Sequence, residues 1–225
     1  CVALSTFSDF NSMDAQKWFK APKTVIYSGF WENQLHRNYP LTQNKINISL
    51  TGGIYDRQLL EILFEGIKIW LEGLPQKERS KVYLKYAGND TESVKGAAKK
   101  LTNLCNLNIL GFISVKELQK VHQTSIANLY IKINRTFHHK AIEILSAGRP
   151  VICYPEESNE VINIAKATNI ALHSCSSAQN ISEALSQSLN TASNKVDENN
   201  RLKELSWNFQ ARKLEALFQS IIPNA

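Results

Sequence analysis

The chain has 225 residues, 43% hydrophobic and 20% charged, ordinary usage for a globular protein that buries its own core without staples. No run of about 18 apolar residues occurs, which argues against a membrane-spanning helix. A net charge of +6 suits an anionic ligand or an anionic membrane surface, but Lys and Arg are dispersed and not interleaved with aromatics, against a nucleic-acid groove.

Cys1, Cys105, Cys153 and Cys175 show no Cys-x-x-Cys spacing, which speaks against a structural zinc site and a disulfide framework and for a reducing compartment. The opening CVALST reads as a strand without an initiating Met, and the natural N-terminus is expected upstream.

In chain order, a helix is predicted around Ser12–Lys20 and a strand at Lys23–Tyr27. Strands follow at Lys45–Leu50, Lys81–Tyr86, Leu107–Leu110, Ala127–Ile133, Pro150–Tyr154 and Asn169–His173. They are rich in Val, Ile and Tyr and mostly lack polar alternation, as in strands covered on both faces. Between them, Leu59, Ile62, Leu63, Ile67 and Trp70 repeat at helical spacing, as do Leu118, Val121 and His122. After Ser176 the chain turns polar and helical. NTASNKVDENN reads as a mobile loop, and one last amphipathic helix is predicted from about Arg201 to Ile221. Strand–helix alternation predicts an α/β fold, a Rossmann-like doubly wound parallel sheet with right-handed crossovers.

In such a sheet, ligands bind beyond the carboxyl ends of the strands. That directs attention to the loops Thr51–Arg57, Ala87–Thr91, Gly111–Val115, Asn134–His139 and Pro155–Asn159. Gly52–Gly53, Gly88 and Gly111 punctuate three of them; each alone is an ordinary tight turn, and together they allow close backbone approach to a ligand.

The stretch YIKINRTFHHKAIEILSAGRPVICYP concentrates the chemistry. A buried strand ends near Ile133, a helix begins near Thr136 and stops at Gly148, and Pro150 leads into the next strand. Thr136 as N-cap leaves free amides and the positive dipole end facing the cleft, an anion site. Lys140, a cation early in the helix, is unfavourable to the dipole unless phosphates offset it. Glu143, three residues on, can accept two hydrogen bonds from the hydroxyls of a ribose. From spacing alone, the favoured reading of Lys140 and Glu143 is a surface i, i+3 pair.

TFHHKAIEILSAGRPVI resembles the donor-site helix of the retaining family 4 glycosyltransferases of GT-B fold, with Phe137, Lys140, Glu143, Gly148 and Pro150 in register. ISLTGGIYDRQLLEILFEGIKIWLE resembles the first strand, glycine loop and helix of their C-terminal domain. VYLKYAGND, LNILGFISVKELQKVHQTSIANLYI, KTVIYSGF and LSWNFQARKLEALF are similar to segments in the same order, over roughly residues 20–220.

The resemblance implies the C-terminal half of a two-domain GT-B architecture. Residues 1–40 would then be the end of the N-terminal domain and a linker, 41–195 the nucleotide-sugar-binding domain, and 196–225 a helix packing back toward the first domain. It further implies that Glu143 holds the nucleotide ribose, and that Lys140 and the amides of Thr136, Phe137, His138 and His139 hold the diphosphate. Gly111, Phe112 and Ile113 would meet the base, and Gly52, Gly53 and Arg57 the diphosphate or sugar.

A nucleoside-diphosphate-sugar is then a substrate, and no cofactor is expected. The acceptor, a glycan or lipid-linked molecule of polysaccharide biosynthesis, would be held by the N-terminal domain, so the fragment alone is expected to bind donor weakly and turn over little. A cytoplasmic protein is expected, peripheral at the inner membrane face on charge grounds.

Several departures from the family pattern stand out. Arg135 replaces a Glu eight residues before Glu143, the Glu-Gly-Phe-Gly loop is absent, and only Arg57 follows the first glycine loop as a cation. No residue is assigned to catalysis. His138 and His139 are read as solvated or capping, Trp207 and Lys213 as structural, and Asp56, Asn89 and Asp90 do not form a metal-ligand pattern. Two other readings remain: a nucleotide-sugar epimerase of the same fold, and a non-catalytic nucleotide-binding or interaction domain.

Overall fold

The computed structural model describes residues 3–32, 39–42, 44–132, 137, 139–192 and 200–222. It opens with β1 (Leu4–Thr6), α1 (Asp9–Ala15) and β2 (Lys23–Val25), the two strands pairing in parallel. Then come β3 (Ile46–Thr51), α2 (Arg57–Gly73), α3 (Gln76–Arg79), β4 (Val82–Ala87), α4 (Thr91–Ala98), β5 (Asn106–Gly111), α5 (Val115–Gln123), β6 (Ala127–Ile131) and α6 (Lys140–Leu145). The remainder is β7 (Val151–Tyr154), α7 (Asn159–Ala167), β8 (Leu172–Ser174), α8 (Ala178–Asn190), α9 (Asn200–Lys203) and α10 (Trp207–Ile221).

The main sheet has six parallel strands in the order β5-β4-β3-β6-β7-β8. The first strand of this sheet is therefore central, and the winding reverses between β3 and β6. A doubly wound sheet leaves its ligand crevice at that reversal, beyond the carboxyl ends of those two strands.

Each sheet face is sealed differently. Ile48, Leu50, Leu84 and Leu129 face a core completed by Leu63, Phe64 and Ile67 of α2 and Ile181 and Leu185 of α8. Tyr130, Val151 and Cys153 face a second core with Ile142 and Leu145 of α6, Val161 of α7 and Phe30 of the segment after β2.

Beneath α5 the sheet is polar. β3 alternates strictly, Ile46, Ile48 and Leu50 against Asn47, Ser49 and Thr51, so the expectation of little polar alternation does not hold for this strand. Its polar side is nonetheless buried. Ser49 Oγ donates to Asn128 Oδ1 (2.6 Å), Asn128 Nδ2 to the His122 carbonyl (3.1 Å) and Asn47 Nδ2 to the Thr124 carbonyl (3.1 Å). A polar face can be buried here because each group finds a partner.

Three predicted helices have different bounds. The first begins at Asp9 because Ser8 caps it, accepting from the Asn11 amide at 3.1 Å. The helix expected from Thr136 is observed over Lys140–Leu145, with Thr136 outside the described residues. The single terminal helix is two, α9 and α10, because Ser206 takes an extended conformation (φ −71°, ψ 153°) and caps α10 through the Phe209 amide. A side-chain cap of this kind fixes a helix start against an otherwise continuous apolar stripe.

The N-terminal strand pair is tied to the rest. Glu160 Oε1 accepts from the Asp9 amide (2.6 Å) and from the Tyr27 hydroxyl (2.9 Å). Tyr27 N–H donates to Gln210 Oε1 at 2.9 Å, and Lys213 Nζ donates to the Val25 carbonyl.

Candidate functional site

At the carboxyl edge of β3, β4 and β5 the chain turns at Gly52, Gly88 and Gly111. The turns are laddered together: Gly52 N–H donates to the Ala87 carbonyl and Gly88 N–H to the Gly111 carbonyl, both at 2.9 Å. Tyr86 braces them from below, its hydroxyl donating to the Gly52 carbonyl (2.9 Å) and accepting from the Asp90 amide (3.1 Å). Asp90 Oδ2 accepts from the Ile54 amide at 2.8 Å. These bonds engage Asp90 in fixing the loop.

Gly52 has φ +98°, a conformation side chains rarely adopt. A Cβ built there would lie 1.8 Å from Lys140 Nζ. The ammonium of α6 thus reaches across the reversal point onto the first glycine turn.

Lys140 is the first residue of α6 and Glu143 sits one turn on. They form no ion pair with each other, and no other described residue pairs with either. Burial lowers the Lys140 pKa, opposed by attraction to Glu143; burial raises that of Glu143, opposed by attraction to Lys140. In both, desolvation outweighs the mutual attraction, so two partly desolvated side-chain charges stand without a hydrogen-bonding partner among the described residues. Such groups gain about 1.5–3 kcal/mol from each good charge-assisted hydrogen bond a ligand supplies.

Two cavities meet at Lys140. One, of about 360 Å³, runs between α5 and α6 and is lined by Glu143, His139, Gln119 and His122, with Trp31 and Trp207 at its other side. The second, of about 330 Å³, lies over the glycine ladder and is lined by Gly52, Gly53, Tyr55, Gly111, Phe112 and Ile113. Phe112 is 85% exposed, a free aromatic wall.

Of the residues named from the sequence, Gly52, Gly53, Gly111, Phe112, Ile113, His139, Lys140 and Glu143 line these cavities. Thr136 and His138 lie outside the described residues. Arg57 lines neither cavity. It is the first residue of α2, exposed, behind the capping Asp56 whose Oδ1 accepts from the Gln58 and Leu59 amides. Phe137 is 5% exposed and stacks on Tyr27 with ring centroids 5.1 Å apart, so it belongs to the second core.

Sequence reasoning missed His122. Its Nε2 lies 3.1 Å from Thr51 Oγ1, in a hydrogen bond one residue before Gly52. Complete burial, reinforced by the Lys140 charge, pushes its pKa down to about 3 and keeps it neutral. The signal was the polar stripe Gln119, His122 and Gln123 on α5, all buried; the i, i+3, i+4 spacing places them on one face. Trp31 and Trp207 were also missed as cavity residues, since nothing local in the sequence places the segment after β2 beside α6.

The sequence profile of the family described as glycosyl transferases group 1 matches residues 65–205, more than half of the chain. The chain belongs to this family. No curated protein sequence matches it.

Among solved structures, it is similar to HepE of Anabaena in complex with UDP and glucose (TM-score 0.70, 13% identity, covering 98% of this chain and 64% of that one). A glycosyltransferase from Rickettsia africae is similar to the same extent (TM-score 0.71, 14% identity, 98% and 64%). A putative UDP-N-acetylglucosamine 2-epimerase from Listeria monocytogenes shares the fold at TM-score 0.61 and 12% identity, over 96% and 58%. The chain therefore spans less than two thirds of these proteins, and at such identities the likeness establishes the Rossmann-like GT-B fold.

Proposed function

We propose that this chain is the donor-binding half of a glycosyltransferase that moves a sugar from a nucleoside-diphosphate-sugar to a glycan or lipid-linked acceptor. The observation that carries the reading is the Lys140 ammonium, without an ion-pair partner among the described residues, seated against Gly52, with Glu143 one turn away, at the reversal point of the sheet. An anion of diphosphate size satisfies Lys140, and vicinal hydroxyls of a ribose satisfy Glu143. HepE was crystallised with UDP and glucose, a ligand pair of this chemistry.

Breaking the bond between the sugar and the diphosphate builds negative charge on the departing oxygens. Lys140, already desolvated and held in place, stabilises that charge without reorganising. A preorganised donor of this kind is worth about 3–4 kcal/mol of barrier. The side-chain-free Gly52–Gly53 turn lets the diphosphate approach. The acceptor is held by the N-terminal part of the protein, of which β1, α1 and β2 are the last elements.

A cytoplasmic setting at the membrane face fits the net charge of +6. Among the described residues no helix is long and apolar enough to cross a membrane.

The test is a calorimetric titration of the chain with UDP, GDP and their sugars, with Glu143→Ala as control. Binding of one diphosphate, weakened at least tenfold in the variant, is the expected result. A folded sample that binds none of them at millimolar concentration contradicts the reading.

A further inference from the structure

The cavity that holds Glu143 has a second wall that the donor-site reading leaves unused. It comes from the segment after β2. Phe30 is 3% exposed, anchored in the second core, and its carbonyl accepts the Trp207 amide at 2.9 Å. Gly29 lies flush on the α9–α10 joint, where an added Cβ would come within 2.7 Å of the Trp207 nitrogen. On the other side, Ser206 Oγ donates to Glu32 Oε1 at 3.0 Å.

Trp31 stands between these anchors. With its neighbours pinned, it lines the Glu143 cavity at 59% exposure. Val115, 62% exposed, lines the same cavity from the start of α5, two residues beyond Ile113. A large aromatic and a branched aliphatic side chain, both left open to water beside a carboxylate, form a site for a flat ring joined to a hydroxyl-bearing sugar. Exposed apolar surface of this size, held in a fixed backbone, points to a ligand.

We infer that Trp31 stacks on the nucleobase of the donor, with Val115 against the opposite side of the ring, so that the linker is part of the nucleotide site. This rests on the proposed function, since it takes Glu143 as the ribose residue. The ribose fixes the span: its hydroxyls on Glu143 leave the base between the start of α5 and Trp31, and the diphosphate toward Lys140 and Gly52. An aromatic stack is indifferent to base identity, because every base has a π-face; it contributes affinity, and selectivity is left to polar groups near Gly111.

The experiment measures binding of UDP, GDP, ADP and inorganic pyrophosphate to the wild type, Trp31→Ala, Trp31→Phe and Trp207→Phe, by calorimetry and tryptophan fluorescence. Stacking of one base predicts about a tenfold loss of nucleotide affinity in Trp31→Ala, recovery in Trp31→Phe and unchanged pyrophosphate binding in both. It also predicts a saturable fluorescence change on nucleotide binding that persists in Trp207→Phe and disappears with Trp31. Equal loss for pyrophosphate and nucleotides in Trp31→Ala, or nucleotide affinity within twofold of wild type while Glu143→Ala remains impaired, overturns the stacking role and leaves the donor site intact. Failure of the wild type to bind any nucleotide overturns both.

Discussion

The ammonium of Lys140 occupies the space that a side chain on Gly52 would fill, with 1.8 Å between Nζ and the position of a Cβ. One residue lies on the turn after β3 and the other on the first turn of α6, so the contact closes the reversal point of the sheet.

Gly52→Ala is therefore expected to fail twice over. The backbone at φ +98° costs about 1–2 kcal/mol for an L side chain, and Lys140 must leave its seat. Thermal denaturation should show a fall of several degrees, and pyrophosphate affinity measured by calorimetry should drop about tenfold. Gly53→Ala is the contrast. The three atoms nearest its Cβ all belong to the outer end of the Tyr55 ring, the first at 2.9 Å, and Tyr55 is 75% exposed and free to swing away; stability close to wild type is expected.

Glu143→Gln separates binding from stability. Burial raises the pKa of Glu143 in the folded protein, so its favourable contribution is complete below the unfolded carboxyl range and is lost as pH rises through the raised value. Above that raised value the ionised group is a cost. The neutral isostere should raise the melting temperature by roughly 1–3 °C while weakening nucleotide binding about tenfold. A variant that loses stability together with binding would mean that Glu143 is structural.

His122 has the opposite sign. Its folded-state pKa of about 3 lies below the ordinary 6.5, so the stability of its neutral, buried state is present above about pH 6.5 and lost as pH falls toward 3. The slope is about 1.4 kcal/mol per pH unit. Urea midpoints at pH 7, 6 and 5 should fall steeply in the wild type and less so in His122→Gln. Some slope should remain, because burial also lowers His139 and His173.

Ser206→Ala removes the cap of α10 and the bond to Glu32 in one change. A loss of about 1–2 kcal/mol is expected in denaturant unfolding, accompanied by faster amide exchange at Phe209. Trp31, flanked by the same anchors, should gain fluorescence anisotropy decay on the nanosecond timescale.

The strand pattern and its consequence, a parallel sheet with ligand loops at one edge, were legible from residue types, because short Val- and Ile-rich runs between amphipathic helices have few other solutions. Gly52 could be named from its place after a predicted strand, and Lys140 and Glu143 through the family resemblance, since spacing alone left those two as a surface pair. What could not be read is long-range. The burial of Phe137 depends on Tyr27, more than a hundred residues away, and Arg57 is turned out of the site by a local cap at Asp56 whose helix start is visible only in three dimensions. His122 looked apolar by spacing, although its partner is Thr51 of β3.

The ladder through Gly52, Ala87, Gly88 and Gly111 has a consequence for how a site of this kind diversifies. The floor is made of main chain, bonded turn to turn, and its one side chain is the Ala87 methyl. What projects from it, Tyr55 and Phe112, is exposed and bonded to none of the ladder's amides or carbonyls. Under the proposed function, the diphosphate shared by all such donors would meet the unchanging floor, and the parts that differ would meet replaceable walls. New selectivity can then arise by exchange at the walls without disturbing the foundation.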